Sequence, residues 1–195
     1  MWASLFSTID TIDINGMLWL NNVAHTNVVT FWMAVVLSRF LIALIIATPF
    51  FVVELWHDAK RSSIGSHAIV QAAFAVVLAT AVGYLIGALV GRPRPFSEDI
   101  YVAPIGLLPT SASFPSAHSW VAFAFASTFL YYPKYARIGR VLVALACLVA
   151  VGRVMAGLHY PSDVLGGALL GLVSTYLIAR FGHSLFLWAG EKMHK

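Results

Sequence analysis

Of 195 residues, 60% are hydrophobic and only 10% charged, against about 45–50% and about 25% in soluble domains. This composition excludes a water-soluble globule and a disordered chain, and a lone cysteine, Cys147, excludes a disulfide scaffold. The net charge of +4 does not mark a nucleic-acid binder, because the basic residues fall in short connectors between apolar runs rather than on one polar face. Cys147 itself lies in an apolar run and reads as a small buried hydrophobe.

In chain order, within the first 38 residues the stretch 14–38 is uncharged apart from His25 but broken by Asn15, Asn21, Asn22 and Asn27. These first 38 residues read either as a first membrane span or as amphipathic helices lying at the interface. No Lys or Arg precedes Arg39, so a signal peptide with a positive n-region is not expected. A span needs roughly 20 apolar residues, and residues 39–56, 66–90, 117–132, 139–158 and 163–181 supply five candidates. The expected fold is therefore all-α: a single domain over residues 1–195, a polytopic bundle of about six transmembrane helices. Gly166, Gly167, Ala168 and Gly171 put small residues on the last helix, a sign of close helix packing.

If the 66–90 helix leaves the cytoplasm, the cytoplasmic segments carry Lys60, Arg61, Lys134, Arg137, Arg140, Arg180, Lys192 and Lys195, eight of the twelve basic residues. This is the positive-inside arrangement. The outer connectors then hold Arg92, Arg94, Ser116, His118, Arg153, His159 and Asp163, a concentration of ionisable groups unusual for so apolar a chain. Among acidic residues only Glu98, Asp99 and Asp163 are placed on this face.

That set suits phosphoryl transfer. Arginine forks match phosphate oxygens and stabilise their spread charge. The run Phe114–His118 reads as a helix start with Ser116 at the N-cap, presenting backbone N–H groups to an anion. Asp163, four residues after His159, is expected to hold one imidazole nitrogen by a hydrogen bond, fixing the tautomer and leaving the other nitrogen as nucleophile. His118 is then the general acid. Two-metal phosphatases gather several carboxylates; with so few here, and arginines beside them, no metal and no other cofactor is expected.

The sequences GRPRP (91–95), PSAH (115–118) and Arg153-x5-His159-x3-Asp163 resemble, in order, the three motifs of the type 2 phosphatidic acid phosphatase superfamily. The resemblance implies a six-helix bundle and a metal-free phosphohistidine mechanism, with His159 as nucleophile, Asp163 as its partner and His118 as acid. It implies phosphate ligands at Arg94, Ser116, the Ala117 backbone and Arg153. Three positions depart from the pattern: Gly87 stands where the family has lysine, Ala117 where it usually has glycine, and Gly152 where it has serine. With the lysine gone, Arg92 is a candidate substitute.

Within the superfamily the chain is similar to the undecaprenyl diphosphate phosphatases of the bacitracin-resistance type. That similarity implies a lipid phosphate substrate and a site facing the periplasm or the outside of a bacterial inner or plasma membrane. Phosphatases of phosphatidate, phosphatidylglycerophosphate, diacylglycerol diphosphate or lipid A fit the same residues. So do a lipid-flipping or transport protein and an inactive relative.

Overall fold

The computed structural model describes residues 2–55, 59–98 and 102–193. Trp56, at the end of the expected 39–56 span, Asp99 and Lys195 lie outside the described residues. All regular structure among the described residues is helical: α1 (Trp2–Ala24), α2 (Val28–Val35), a π-helical turn (Val36–Phe40), α3 (Leu41–Leu55), α4 (Ala59–Val90), α5 (Ala117–Thr128), α6 (Ala136–Met155) and α7 (Pro161–Met193).

The asparagines of the first 38 residues do two different things. Asn27 ends the break after α1 by capping α2, its side chain accepting from the N–H groups of Val29 and Thr30 while its own N–H donates to Thr30 Oγ1. The helix so started runs through the π turn into α3, so the second span begins at residue 28, not 39. Asn21 instead is buried on α1, where it donates to the carbonyls of Ala103 and Met155.

The stretch of α1 from Asp13 to Ala24 packs against α2, the last turns of α6, the first turn of α7 and the connectors beside them. It thus sits at that end of the bundle, while residues 28–38 belong to the apolar segment Val28–Phe51. Four helical segments are long and apolar enough to cross a membrane among the described residues: Val28–Phe51, His67–Ser97, Ala136–Met155 and Pro161–Gly182. Their outward faces carry exposed Phe40, Phe74, Leu89, Val141 and Leu169, the pattern of a surface solvated by lipid. Cys147 belongs to that exposed surface rather than to the core.

The expected span 117–132 is shorter than drawn. α5 has 12 residues, about 18 Å at 1.5 Å per residue, less than the roughly 30 Å of a hydrocarbon core. Its residues from Ser119 to Thr128 are buried except for the half-buried Val121, and it forms the centre of the bundle against α4, α6 and α7. Small residues make this possible: a Cβ on Gly167 would lie 2.5 Å from Ser116 O, and one on Gly171 would lie 2.7 Å from Ala124 N. Such backbone contact replaces side-chain interdigitation between α5 and α7. It fixes the start of α5 beside the start of α7, where the ionisable residues meet.

Candidate active site

His159 follows α6 after a turn in which Gly157 has φ +66°, a conformation suited to glycine, and where a Cβ would stand 2.6 Å from Val102. The imidazole is 1% exposed. Its Nδ1 lies 2.9 Å from the carbonyl oxygen of Ser113. A carbonyl only accepts, so Nδ1 carries the proton and Nε2 keeps its lone pair. Arg94 Nη1, 3.2 Å from Nε2, donates to it.

This differs from the expected Asp163–His159 hydrogen bond. Asp163 Oδ2 is 3.6 Å from Nδ1, close enough for charge stabilisation but too long for a hydrogen bond. The carboxylate is held instead by Ser113 Oγ at 2.5 Å, Tyr160 N–H at 2.9 Å and Arg92 Nη1 at 2.8 Å. Acceptance from Tyr160 N–H is the reach-back half of a capping box at the start of α7, which is why an acid three residues into the helix is positioned so firmly.

Burial pushes the His159 imidazole down to about 4; Asp163 opposes this, while Arg153 and Arg94 add to it. His159 is therefore neutral at physiological pH, as a nitrogen nucleophile must be. His118, the second residue of α5, is half-buried and is pushed down to about 3 by burial, then by Arg153, His159 and Arg94. An arriving phosphate would offset those cationic charges and raise it.

The arginines divide into distinct roles. Arg94 is buried and fully engaged: Nε donates to Ser111 O, Nη1 to Leu158 O, and Nη2 to Ser111 Oγ and Ala112 O. Arg153 is also buried, but its only hydrogen bond among the described residues is a 3.4 Å contact to Ser38 O, and its Nε has none. Ser116 occupies the N-cap of α5 without a side-chain capping bond, and its buried Oγ likewise lacks a partner. The first N–H groups of α5, which no helix can satisfy internally, remain free to meet an anion. Arg92 is placed differently from the phosphate-ligand role expected of it. Its guanidinium is shared among Asp13, Ser162 and Asp163 and stacks 4.1 Å over the Tyr160 ring.

Asp13 was not among the expected outer-face acids, yet it is 3% exposed and reaches the same cluster from α1. The two carboxylates of α1, Asp10 and Asp13, in so apolar a chain were the available signal, since burying one requires a partner. Ser113, donor to Asp163 and acceptor from His159, carried no such signal. Among the described residues, no group of three or more His, Cys, Asp or Glu side chains is disposed to hold a metal ion.

Two of the departures have local explanations. At Gly152, a Cβ would fall 2.7 Å from Leu37 C and 2.8 Å from Ser38 N, because the π turn presses against α6; the family serine would not fit. At Gly87, a Cβ would meet Phe114 O at 3.4 Å and Ala112 Cβ at 3.9 Å, both ordinary contacts, and the missing side chain leaves a cavity. That cavity, about 260 Å³, lies beside Arg94 and is lined by Gly83, Tyr84, Gly87, Ala88, Phe114 and Trp120, among others.

A buried neutral histidine beside a carboxylate, with an unpaired arginine and an open helix start at one end of an apolar helical bundle, defines an integral membrane protein built to handle a phosphate group. Residues 68–186 match the family model of the PAP2 superfamily, and the chain belongs to that superfamily. It is 34% identical over 149 residues to YbjG of Escherichia coli, provisionally named an undecaprenyl-diphosphatase, an alignment covering 73% of this chain and 72% of that protein. It is also 34% identical over 107 residues to the undecaprenyl-diphosphatase BcrC of Bacillus subtilis, covering 53% of this chain and 52% of the relative. The lipid A 1-phosphatase of Rhizobium johnstonii is 36% identical over 118 residues, 56% of this chain and 47% of that one. The fold is that of the crystal structure of Aquifex aeolicus LpxE, with a TM-score of 0.66 at 22% identity, covering 87% of this chain and 96% of the other.

Proposed function

We propose that this PAP2 lipid phosphatase removes the terminal phosphate of an isoprenoid diphosphate, with undecaprenyl diphosphate giving undecaprenyl phosphate, through a phosphohistidine at His159 and without a metal. The observation that carries the reading is the lone pair on His159 Nε2, fixed by the Ser113 carbonyl and set among Arg94, Arg153 and the start of α5. The names of the similar Escherichia coli and Bacillus subtilis proteins support the lipid class.

In the first step Nε2 attacks the terminal phosphorus. The N–P bond forms as the bridging P–O bond breaks, and a proton from His118 goes to the leaving lipid phosphate. The phosphoimidazolium retains its Nδ1 proton, and its positive charge is stabilised by Asp163 at 3.6 Å. Arg153 Nε, Ser116 Oγ and the Ala117 N–H hold the equatorial oxygens. In the second step His118 takes a proton from water, the water oxygen bonds phosphorus, and the N–P bond breaks to free inorganic phosphate and neutral His159.

The metal-free form rests on the chemistry of the residues present: cationic arginines and few carboxylates favour an anion over a cation. The cavity at Gly87 gives the isoprenoid chain a place next to the phosphate. Positive-inside bias puts this end of the bundle on the periplasmic or outer side of a bacterial plasma membrane.

The test is phosphate release by detergent-purified protein from undecaprenyl diphosphate, phosphatidate and phosphatidylglycerophosphate, with a chelator present throughout. Preferential release from the first, lost in His159→Ala, is expected. Release only without chelator, or preference for a glycerolipid, overturns the corresponding part of the reading.

A further inference from the structure

The segment matched by the family model begins at residue 68, and α1 lies wholly outside it. Yet α1 reaches into the site. Asp13 Oδ2 accepts from Arg92 Nη2 at 2.8 Å and from Ser162 Oγ, and its Oδ1 accepts from Ser162 N–H at 2.9 Å. The other arm of Arg92, Nη1, donates to Ser162 Oγ at 2.6 Å and to Asp163 Oδ1 at 2.8 Å. Both carboxylates are almost fully buried, with side-chain exposures of 4% and 0%.

This is a chain of charges in fixed alternation: Asp13, Arg92, Asp163 and then the His159 imidazole. Two buried carboxylates share one guanidinium at 2.8 Å, with the exposed Asp10 at 4.0 Å from it. Without Asp13 most of the positive charge of Arg92 would act on Asp163 and drain the negative potential that the His159 imidazolium needs. Asp13 also satisfies a first-turn N–H of α7, which fixes where that helix, and with it Asp163, begins. Gly16, one turn further along α1, lets α1 approach Pro161, where a Cβ would come within 3.3 Å.

We infer that Asp13 is a positioning residue of the catalytic site, acting through Arg92 to set the location and effective charge of Asp163 against His159. The inference rests on the phosphohistidine reading for its kinetic consequence, but its structural consequence stands apart from activity. Loss of Asp13 changes the electrostatic environment of His159 without touching substrate.

Asp13→Asn keeps the size of the side chain and removes its charge. The expected result is a fall in kcat of about 10- to 100-fold, the scale of small misplacements of a catalytic group, with KM changed less than about twofold. Adding Arg92→Gln to Asp13→Asn removes the now unbalanced cation, so the double variant is expected to exceed Asp13→Asn alone. The activity-independent readout is nitrogen NMR of histidine-labelled protein in detergent. Wild type is expected to show a single His159 tautomer with the proton on Nδ1, and Asp13→Asn the same tautomer with a displaced signal.

Normal kcat per folded protein in Asp13→Asn, with an unchanged His159 signal, overturns the inference. So does a double variant no better than Asp13→Asn alone. Inactive wild type with the expected displacement of the His159 signal in Asp13→Asn sinks the proposed reaction while leaving the positioning role standing.

Discussion

The Ser113 carbonyl oxygen and His159 Nδ1 lie 2.9 Å apart, and this contact decides which imidazole nitrogen can react. The backbone, rather than the neighbouring carboxylate, fixes the tautomer. Asp163 is left to act through charge at 3.6 Å while its oxygens are occupied by Ser113 Oγ, Tyr160 N–H and Arg92.

One consequence concerns pH. His159 must be neutral to attack, and its folded-state value is depressed from 6.5 to about 4. The reactive form therefore persists as pH falls through 6.5 and is lost only as pH falls through about 4. The acid limb of kcat/KM, which reports the free enzyme, is expected to bend well below 6.5, in the range of the depressed His159 and His118 values of about 4 and about 3. A bend at 6.5 would mean an imidazole in ordinary water.

The two buried arginines should fail in different ways. Arg153→Ala removes a guanidinium that does little for the fold, so folded protein is expected with activity reduced about 10²- to 10³-fold. Arg94→Ala strips donors from the carbonyls of Ser111, Ala112 and Leu158, at about 1–3 kcal/mol for each buried acceptor left unpaired. Loss of both activity and thermal stability is expected there. Size-exclusion profiles and melting temperatures in detergent separate the two cases.

Restoring the family serine at residue 152 is expected to harm this chain. Its Cβ would press on the backbone of Leu37 and Ser38 at under 3 Å, and overpacking of this kind costs about 1–3 kcal/mol. A lower melting temperature for Gly152→Ser checks it; an unchanged one would mean that the π turn yields freely.

Gly87 provides a test of the cavity. Gly87→Leu should fold, because its Cβ meets nothing closer than 3.4 Å. By filling the space beside Arg94 it is expected to raise KM for a long isoprenoid diphosphate about tenfold, through the loss of roughly 1.4 kcal/mol of chain binding. Hydrolysis of a short water-soluble phosphate ester should change little. Equal effects on both substrates would place the lipid chain elsewhere.

The ionisable residues were legible in sequence because a chain with 10% charged residues can bury them only where they meet. Their division of labour was not. Arg92 and Arg94 are two residues apart, and nothing in that spacing tells which one turns toward Asp13 and which toward His159. Asp13 lies about 80 positions from Arg92, a separation no local pattern bridges. The limits of α5 were overrun because its apolar residues continue past Thr128 into a 3-10 turn, with no charge to mark the end. The start of the second span was missed for the opposite reason: Asn27, taken as a break, is the cap that begins the helix.

The most direct test of the account is rapid alkaline quenching during turnover of undecaprenyl diphosphate labelled in its terminal phosphate, followed by peptide mapping. Label on His159 in wild type, absent from His159→Ala together with phosphate release, is the predicted result. Label on another residue, or continued release by His159→Ala, would contradict it.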